Sequence, residues 1–194
     1  MKQLISFFAV LILSLSTAMA QQDADKPQVT LHTSFGDIRL ELFPQEAPVT
    51  VANFLQYAND GYYDGTVFHR VISHFMIQGG GMVIEESEAG NVLVPKQARE
   101  PIINEADNGL KNLRGTVAMA RTNEVNSASS QFFINVEING ALDHTSKENS
   151  RTWGYTVFGQ VIDGMDVVDD IRFVETGAQD VPVEPVIIES VEVH

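Results

Sequence analysis

The chain has 194 residues, of which 44% are hydrophobic, so it is long and apolar enough to bury the core of one domain. Its 26 Asp and Glu residues outnumber its 12 Lys and Arg residues, and the net charge of −14 argues against nucleic acid and anionic membrane surfaces as partners. The absence of cysteine excludes disulfides, thiol chemistry and cysteine-based metal sites.

The first twenty residues are typical of a secretory signal peptide. Lys2 precedes an apolar run at 4–15, and an Ala-Met-Ala cleavage site ends at Ala20. The alternative is an uncleaved membrane anchor, but the run is short for a span of about 20 residues. We therefore predict export to the periplasm with no membrane attachment after cleavage. The predicted division is a cleaved signal peptide at 1–20, a flexible leader at 21–28 and one domain at 29–194.

Two patterns near the start of the domain predict a hairpin followed by a helix. Residues 29–35 and 38–43 alternate apolar and polar side chains with a Gly-Asp pair between them, which is typical of a β-hairpin. Apolar residues within 48–59 recur at helical spacing, and the proline at the first position suits a first helical turn.

The rest of the domain shows further short strand patterns and one more helical pattern. The mixed composition of 82–100 indicates a surface excursion, and 141–152 is a polar loop. Because helices do not alternate regularly with the strands, the order predicts an antiparallel barrel or sandwich. Strand patterns cover 66–72, 75–78, 115–120, 131–136, 155–162 and 186–193, and the second helical pattern covers 165–171.

An arginine inside an apolar strand pattern is the most informative feature of the chain. Within FHRVISHFMIQGG at 68–80, strand alternation predicts that Phe68, Arg70 and Ile72 share one face. A guanidinium among large apolar groups is costly unless its donors find partners, so this pattern favours a pocket over a core position. A second segment, SQFFIN at 130–135, supplies matching apolar and amide groups.

Other motifs in this region give weaker signals. His69 and His74 are five residues apart in a strand-and-turn context, which does not bring them together as metal ligands. The glycines at 79–81 lack the Lys-Ser/Thr pair and the helix of a phosphate loop, and they suit a sharp turn beside a site. We predict no metal site and no cofactor.

The motifs at 68–80, 115–121 and 130–135 resemble those of the cyclophilin family of peptidyl-prolyl isomerases. NEADNGL at 104–110 and YTVFG at 155–159 are also similar, particularly to the exported bacterial branch. The resemblance covers essentially all of the mature chain. It implies a mainly β fold, a closed eight-stranded antiparallel β-barrel capped by two α-helices. It also implies a cofactor-independent isomerase that acts on X–Pro bonds of unfolded or extended polypeptides.

The resemblance implies roles for individual residues. Arg70 matches the family's catalytic arginine, and we expect Gln78 to help place the rotating carbonyl of the substrate. The substrate-binding positions comprise the histidine before that arginine, the walls of a proline pocket, a second glutamine and two positions whose backbone pairs with the peptide. In this chain they are His69, Phe75, Met76, Phe133, Leu142, Tyr155, Gln131, Ala120 and Arg121.

Three positions depart from the pattern of eukaryotic members of that family. Arg121 replaces an asparagine, which we expect to matter little because the backbone makes the contact there. Tyr155 replaces a histidine and can still close the pocket with an aromatic face. Ala141 replaces a tryptophan, so we expect a wider rim and weak binding of cyclosporin-type inhibitors. Trp153, in the lengthened loop that follows, is a candidate to refill part of that gap.

Two other functions fit parts of the same pattern. One is a holdase-type binding module that grips extended or unfolded segments, with incidental turnover. The other is a small-ligand barrel like a lipocalin. The intact Arg70 favours the isomerase, since simple holding would tolerate its loss, and the two predicted helical caps argue against an open ligand cavity. The prediction is a monomeric isomerase that assists the folding of exported proteins.

Overall fold

The structure is a computed structural model that describes residues 26–87 and 90–194. The predicted signal peptide at 1–20 and residues 21–25 of the predicted leader lie outside the described residues. Within the described ranges, no helix has both the length and the apolar character needed to cross a membrane. The first strand begins at Gln28, the last residue of the predicted leader.

In the part of the chain that the structure describes, eleven strands form one antiparallel sheet. They follow the order β4-β5-β9-β8-β10-β2-β1-β11-β3-β6-β7 across it. β4 forms one edge of the sheet, whereas β3 lies third from the other edge. Because only two residues separate β3 from β4 along the chain, the sheet must curl so that its two edges approach each other. The strands are β1 (Gln28–Thr33), β2 (Gly36–Leu42), β3 (Thr66–Val67), β4 (Arg70–Ile72), β5 (Met76–Gly79), β6 (Met82–Ser87), β7 (Gly90–Pro95), β8 (Thr116–Met119), β9 (Phe132–Asn135), β10 (Val157–Asp163) and β11 (Ile187–Val193).

The predicted closed, eight-stranded barrel is wrong in this form, because the structure is a curled half-barrel of eleven strands. One cause is a break in the predicted strand at 66–72, whose two parts pair with different neighbours, β11 and β5. The other is the hairpin of β6 and β7, which occupies a segment that we predicted to be a surface excursion. This hairpin extends the sheet through a single pair, Thr66 with Val83.

Within the described residues, three α-helices accompany the sheet: α1 (Pro48–Asn59), α2 (Ser150–Trp153) and α3 (Met165–Arg172). The two longer ones confirm the two predicted helices, and each buries one apolar side in the main core, as Phe54 of α1 and Ile171 of α3 illustrate. The short α2 interrupts a predicted loop. Its start is set by Asn149, whose side chain accepts hydrogen bonds from the first turn in a capping box.

Strand alternation gives β5, β9 and β8 two different faces. On one face, Ile77, Phe132 and Ile134 are fully buried in the main core. On the opposite face, Met76 and Phe133 belong to a second, smaller apolar cluster near the surface. The period of two along a strand therefore lets the same three strands support a core on one side and a site on the other.

The predicted shared face of Phe68, Arg70 and Ile72 is wrong. Phe68 is buried in the main core, whereas Ile72 packs against the smaller cluster. The chain leaves the sheet at residues 68–69, between β3 and β4, which interrupts strand alternation. Residues two apart across this break therefore do not have to point to the same face. Arg70 thus faces the surface cluster without a large neighbour from Phe68.

Candidate active site

Strand register places three site residues in one row. Arg70 of β4 lies opposite Gln78 of β5, and Gln78 lies opposite Phe133 of β9. Directly opposed residues of antiparallel strands point to the same face and lie close together. The sheet therefore fixes a guanidinium, an amide and an aromatic ring side by side.

A cavity of about 100 Å³ lies over this row. Because one water occupies about 30 Å³ of liquid volume, the space suits a small ring rather than a large ligand. The structure brings together every predicted site residue except His69 and Gln131. The lining consists of Arg70, Phe75, Met76, Gln78, Ala120, Arg121, Phe133, Leu142 and Tyr155.

The floor and one wall of this cavity are apolar. Met76 and Phe133 are buried, at 2% and 4% exposure, and pack in the smaller cluster with Leu142 beside them. The rings of Phe133 and Tyr155 meet edge to face, with centroids 5.8 Å apart and planes at 76°. This arrangement is favourable for aromatic pairs and fixes the wall of the cavity.

A buried amide network supports the pocket from below. The side chain of Asn139 donates to the Phe75 carbonyl oxygen at 2.8 Å and to the Asn135 side-chain oxygen at 2.7 Å. Asn135 is fully buried and donates in turn to Thr116. The Leu142 amide donates to the Asn139 carbonyl oxygen at 2.8 Å. The network therefore connects Phe75 and Leu142, which both line the cavity, through Asn139.

Arg70 is only loosely held by the protein. Its side chain is 43% exposed, and its Nε lies 3.5 Å from the Oδ2 of Asp180, a carboxylate that is itself 47% exposed. Among the described residues, its terminal nitrogens Nη1 and Nη2 donate no hydrogen bond. The outer end of the guanidinium thus remains available to a ligand in the cavity.

Sequence reasoning missed Asp180. It lies in a short turn, Ala178–Asp180, where Gln179 and Asp180 have φ of 61° and 60°, a left-handed conformation that is uncommon outside glycine. The contact with Arg70 joins residues that are distant in the sequence. No local pattern indicates either the turn or the pairing.

Gln131 lies behind the cavity rather than in its lining. Its side-chain oxygen accepts a hydrogen bond from the Nε2 of Gln78 at 2.9 Å, so it orients the amide that does line the cavity. Gly81 permits this approach: a Cβ at that position would lie 2.3 Å from the Cγ of Gln131. The adjacent Gly80 has a φ of +78°, in agreement with the predicted turn beside the site.

The Arg121 side chain has a larger role than we expected from the sequence. Its Nε donates to the Gly154 carbonyl oxygen at 3.0 Å, and Nη2 donates to the Ser150 carbonyl oxygen at 2.6 Å. Nη1 donates to the Ser150 hydroxyl and to the Thr122 carbonyl oxygen, both at 2.9 Å. The guanidinium also stacks on Tyr155, 4.5 Å from the ring centroid. Arg121 therefore builds the wall through its side chain.

Backbone groups beside Arg121 remain open. The Ala120 amide donates to the Gln131 carbonyl oxygen at 2.9 Å, which continues the ladder of β8 and β9. Within the part of the chain that the structure describes, the Ala120 carbonyl and the Arg121 amide have no hydrogen-bond partner. These two groups are a suitable edge for an extended peptide.

His69 does not line the cavity, which corrects its predicted place at the pocket. It lines a separate cavity of about 290 Å³, to which residues 181–185 also contribute. Burial lowers the pKa of His69, a Val67 backbone hydrogen bond opposes that shift, and the nearby Arg70 charge adds to it. No group of three His, Cys, Asp or Glu side chains that could hold a metal is found in 26–87 and 90–194.

The rim is open at Ala141. A cavity of about 600 Å³ adjoins the smaller one there and shares Arg121, Leu142 and Tyr155 with it. Trp153 lines neither cavity and instead meets the His144 ring edge to face. It therefore does not refill the space left by Ala141.

Comparison with known proteins agrees with this geometry. Residues 28–193 match the family model for cyclophilin type peptidyl-prolyl cis-trans isomerase/CLD. The chain is 56% identical over 169 residues to peptidyl-prolyl cis-trans isomerase cyp18 of Streptomyces antibioticus, covering 85% of this chain and 97% of that protein. It has the same identity to peptidyl-prolyl cis-trans isomerase B of Escherichia coli K12, covering 85% and 98% of the two chains.

Solved structures show the same fold. A cyclophilin type peptidyl-prolyl cis-trans isomerase of Cryptosporidium parvum superposes with a TM-score of 0.70 at 28% identity, covering 87% of this chain and 98% of the other. A second crystal structure of that protein, obtained in the presence of the dipeptide Ala-Pro, gives a TM-score of 0.69 at 29% identity, covering 86% and 98%.

Proposed function

This chain belongs to the family of cyclophilin-type peptidyl-prolyl cis-trans isomerases, and on that premise we propose that it accelerates X–Pro rotation in exported polypeptides as they fold, with Arg70 as the catalytic donor. The observation that carries this proposal is the small cavity with an apolar floor and an arginine whose outer nitrogens have no partner among the described residues. A proline ring fits the floor, and the guanidinium lies at its side.

The chemistry requires stabilisation of a twisted amide. Resonance gives the X–Pro bond a rotational barrier of about 18–20 kcal/mol. At the twisted transition state the prolyl nitrogen loses conjugation and regains a lone pair. A donor held against that nitrogen binds the transition state more tightly than either planar ground state, which is the condition for catalysis. No covalent bond breaks, and no electron is transferred, so the reaction requires no cofactor.

The other site residues hold the substrate while Arg70 acts. Met76, Phe133 and Leu142 would keep the proline ring still, so that the preceding residue rotates. Gln78, oriented by Gln131, would guide the carbonyl that moves. The open carbonyl of Ala120 and amide of Arg121 would pair with the peptide backbone, as in other edge-binding sites.

The location and client class are part of the proposal. The charged start, apolar run and small-residue site within 1–20 support a cleaved signal peptide, and hence a periplasmic protein that acts on exported chains. A monomeric state is part of the same proposal. Mass spectrometry of the protein recovered from the periplasmic fraction should find Gln21 at the N-terminus. The open rim at Ala141 supports weak cyclosporin-type binding, which a titration of the purified protein measures.

Arg70→Ala tests the catalytic assignment. Removal of one preorganised donor typically costs about 10²- to 10³-fold in rate, so we expect that loss in kcat/KM for cis/trans exchange of a model X–Pro peptide. Arg39→Ala is the matched control, because Arg39 is exposed on β2 and lines neither cavity. Exchange as fast with Arg70→Ala as with the native protein would exclude Arg70 as the donor.

The holdase alternative makes a different prediction for the same variant. If the groove serves to hold extended segments, then suppression of aggregation of an unfolded client should survive Arg70→Ala while exchange is lost. The open backbone groups at Ala120 and Arg121 support such holding, because they bind a peptide without any need for Arg70. Loss of both activities in Arg70→Ala would count against a separate holding function.

A further inference from the structure

The 600 Å³ cavity beside the pocket contains a concentration of positive charge that is unusual for this chain. The protein has a net charge of −14, yet this cavity is lined by Arg121 and Arg151 and by no Asp or Glu side chain. Its remaining polar lining is neutral: Asn123, Asn149, Ser150 and Tyr155. A cationic hollow on an acidic protein is therefore placed against the candidate active site.

The two arginines keep their charge unneutralised. Most other basic residues in 26–87 and 90–194 pair with a carboxylate, as Arg99 pairs with Asp60 and Lys147 pairs with Asp107. The basic residues without an ion pair to any described carboxylate are Arg39, Lys96, Arg121 and Arg151. Two of these four line the same cavity.

Arg121 and Arg151 differ in how they are held. Arg121 is fixed by hydrogen bonds to neutral acceptors in Ser150 and Gly154, which position its charge without cancelling it. Arg151 is exposed at the first turn of α2, and its side chain forms no hydrogen bond to any described residue. One cation is thus preorganised and the other is free to adapt, a suitable pair for a carboxylate.

We infer that this cavity is a subsite for an acidic side chain next to the proline of the substrate. The cavity is continuous with the proline pocket through Arg121, Leu142 and Tyr155, so a peptide with its ring in the pocket places a neighbouring residue there. The inference rests on the proposed isomerase function and adds to it a preference for X–Pro segments with a flanking Asp or Glu. Ala141 leaves the hollow open to such a side chain.

Paired peptides test the preference. Three Glu/Gln pairs carry the change at the residue before proline, at the first residue after it and at the second, and kcat/KM is measured by NMR exchange with the full mature protein. At one of these positions we expect kcat/KM to be about three- to fivefold higher for the Glu peptide than for the Gln peptide, because a partly exposed ion pair contributes a free energy of that size. The ratio should fall towards one near 1 M salt, where the Debye length is about 3 Å.

Charge reversal identifies the cavity as the source. Arg151→Glu should lower the Glu/Gln ratio of kcat/KM to about one or below, whereas Arg39→Glu, the same charge reversal at an exposed position of β2, should retain it. Equal rates for all three native pairs, or the same fall in both variants, would overturn the subsite. If the native protein accelerates none of the peptides, the proposed isomerase function fails as well, so the two failures are distinguishable.

Discussion

Arg70 and Arg121 line the same small cavity, yet the protein holds them in opposite ways. Among the described residues, the one ion pair of Arg70 is a 3.5 Å approach to Asp180, and its side chain is 43% exposed. Arg121 donates from all three of its nitrogens to neighbouring oxygens and stacks on Tyr155. An arginine that must donate to the reacting amide keeps its donors free, whereas one that builds a wall has most of its donors bound by the protein, and only its positive charge acts on a nearby carboxylate.

This difference indicates that Arg70 serves the reaction, whereas Arg121 serves the structure of the pocket. A change at Arg70 should alter the rate and leave the folded state intact, because few protein contacts depend on it. A change at Arg121 should first alter stability, because it connects the residues after β8 to α2 and to the residue that follows α2. The predictions below test this separation.

Arg70→Lys should give the largest effect. Lysine retains the charge but lacks the planar fork of donors, so we expect kcat/KM for X–Pro exchange to fall about 10- to 100-fold. The denaturation midpoint should stay close to that of the native protein, since the contact with Asp180 is exposed. Native-like exchange in this variant would show that charge alone is sufficient.

Arg121→Ala should reverse that pattern. Loss of the side-chain hydrogen bonds to Gly154 and Ser150 and of the stacking on Tyr155 should lower the free energy of unfolding by about 2–3 kcal/mol. Urea denaturation measures the change, and Arg39→Ala is the matched control. An unchanged midpoint would mean that the wall does not depend on this side chain.

The Arg121–Tyr155 contact should contribute a smaller part of that loss. A double-mutant cycle with Arg121→Ala and Tyr155→Ala isolates the stacking of the guanidinium on the ring, for which we expect a coupling of about 0.5–1 kcal/mol. The same cycle between Arg70 and Tyr155 should give coupling near zero. Equal coupling in the two cycles would contradict the distinction between the arginines.

Much of this site could be predicted from the sequence, because its helix and strands follow local regularities and its residues lie in motifs that resemble those of a known family. The α1 boundaries agree with the helical pattern that begins at Pro48. The strand patterns around Gln78 and Phe133 correspond to β5 and β9, whose register places these two residues opposite each other. The helix and the strands follow from periods of 3.6 and 2 residues, which the sequence displays directly. The pocket residues were implied by the resemblance to the cyclophilin family, and most of them do line the cavity.

The remaining features depend on contacts between distant residues or on irregular backbone. The break at residues 68–69 moved Phe68 into the core, although the sequence there continues the strand pattern. The left-handed turn that carries Asp180 has no glycine at its left-handed positions to mark it. Arg121 contacts Ser150 only because Asn149 caps a four-residue helix within a polar loop and so fixes the position of Ser150. None of these has a periodic signature.

Asp180→Asn should give the smallest effect and most directly tests how Arg70 is held. Because the ion pair is long and exposed, its loss should change the free energy of unfolding by less than about 1 kcal/mol. The guanidinium then loses its only competing carboxylate within the described residues, so we expect kcat/KM to rise up to about twofold at low salt, with a smaller rise at high salt. Asp166→Asn, an equal charge change on exposed α3, is the control. A fall in kcat/KM for Asp180→Asn alone would instead make Asp180 a positioning residue that aims Arg70 at the substrate.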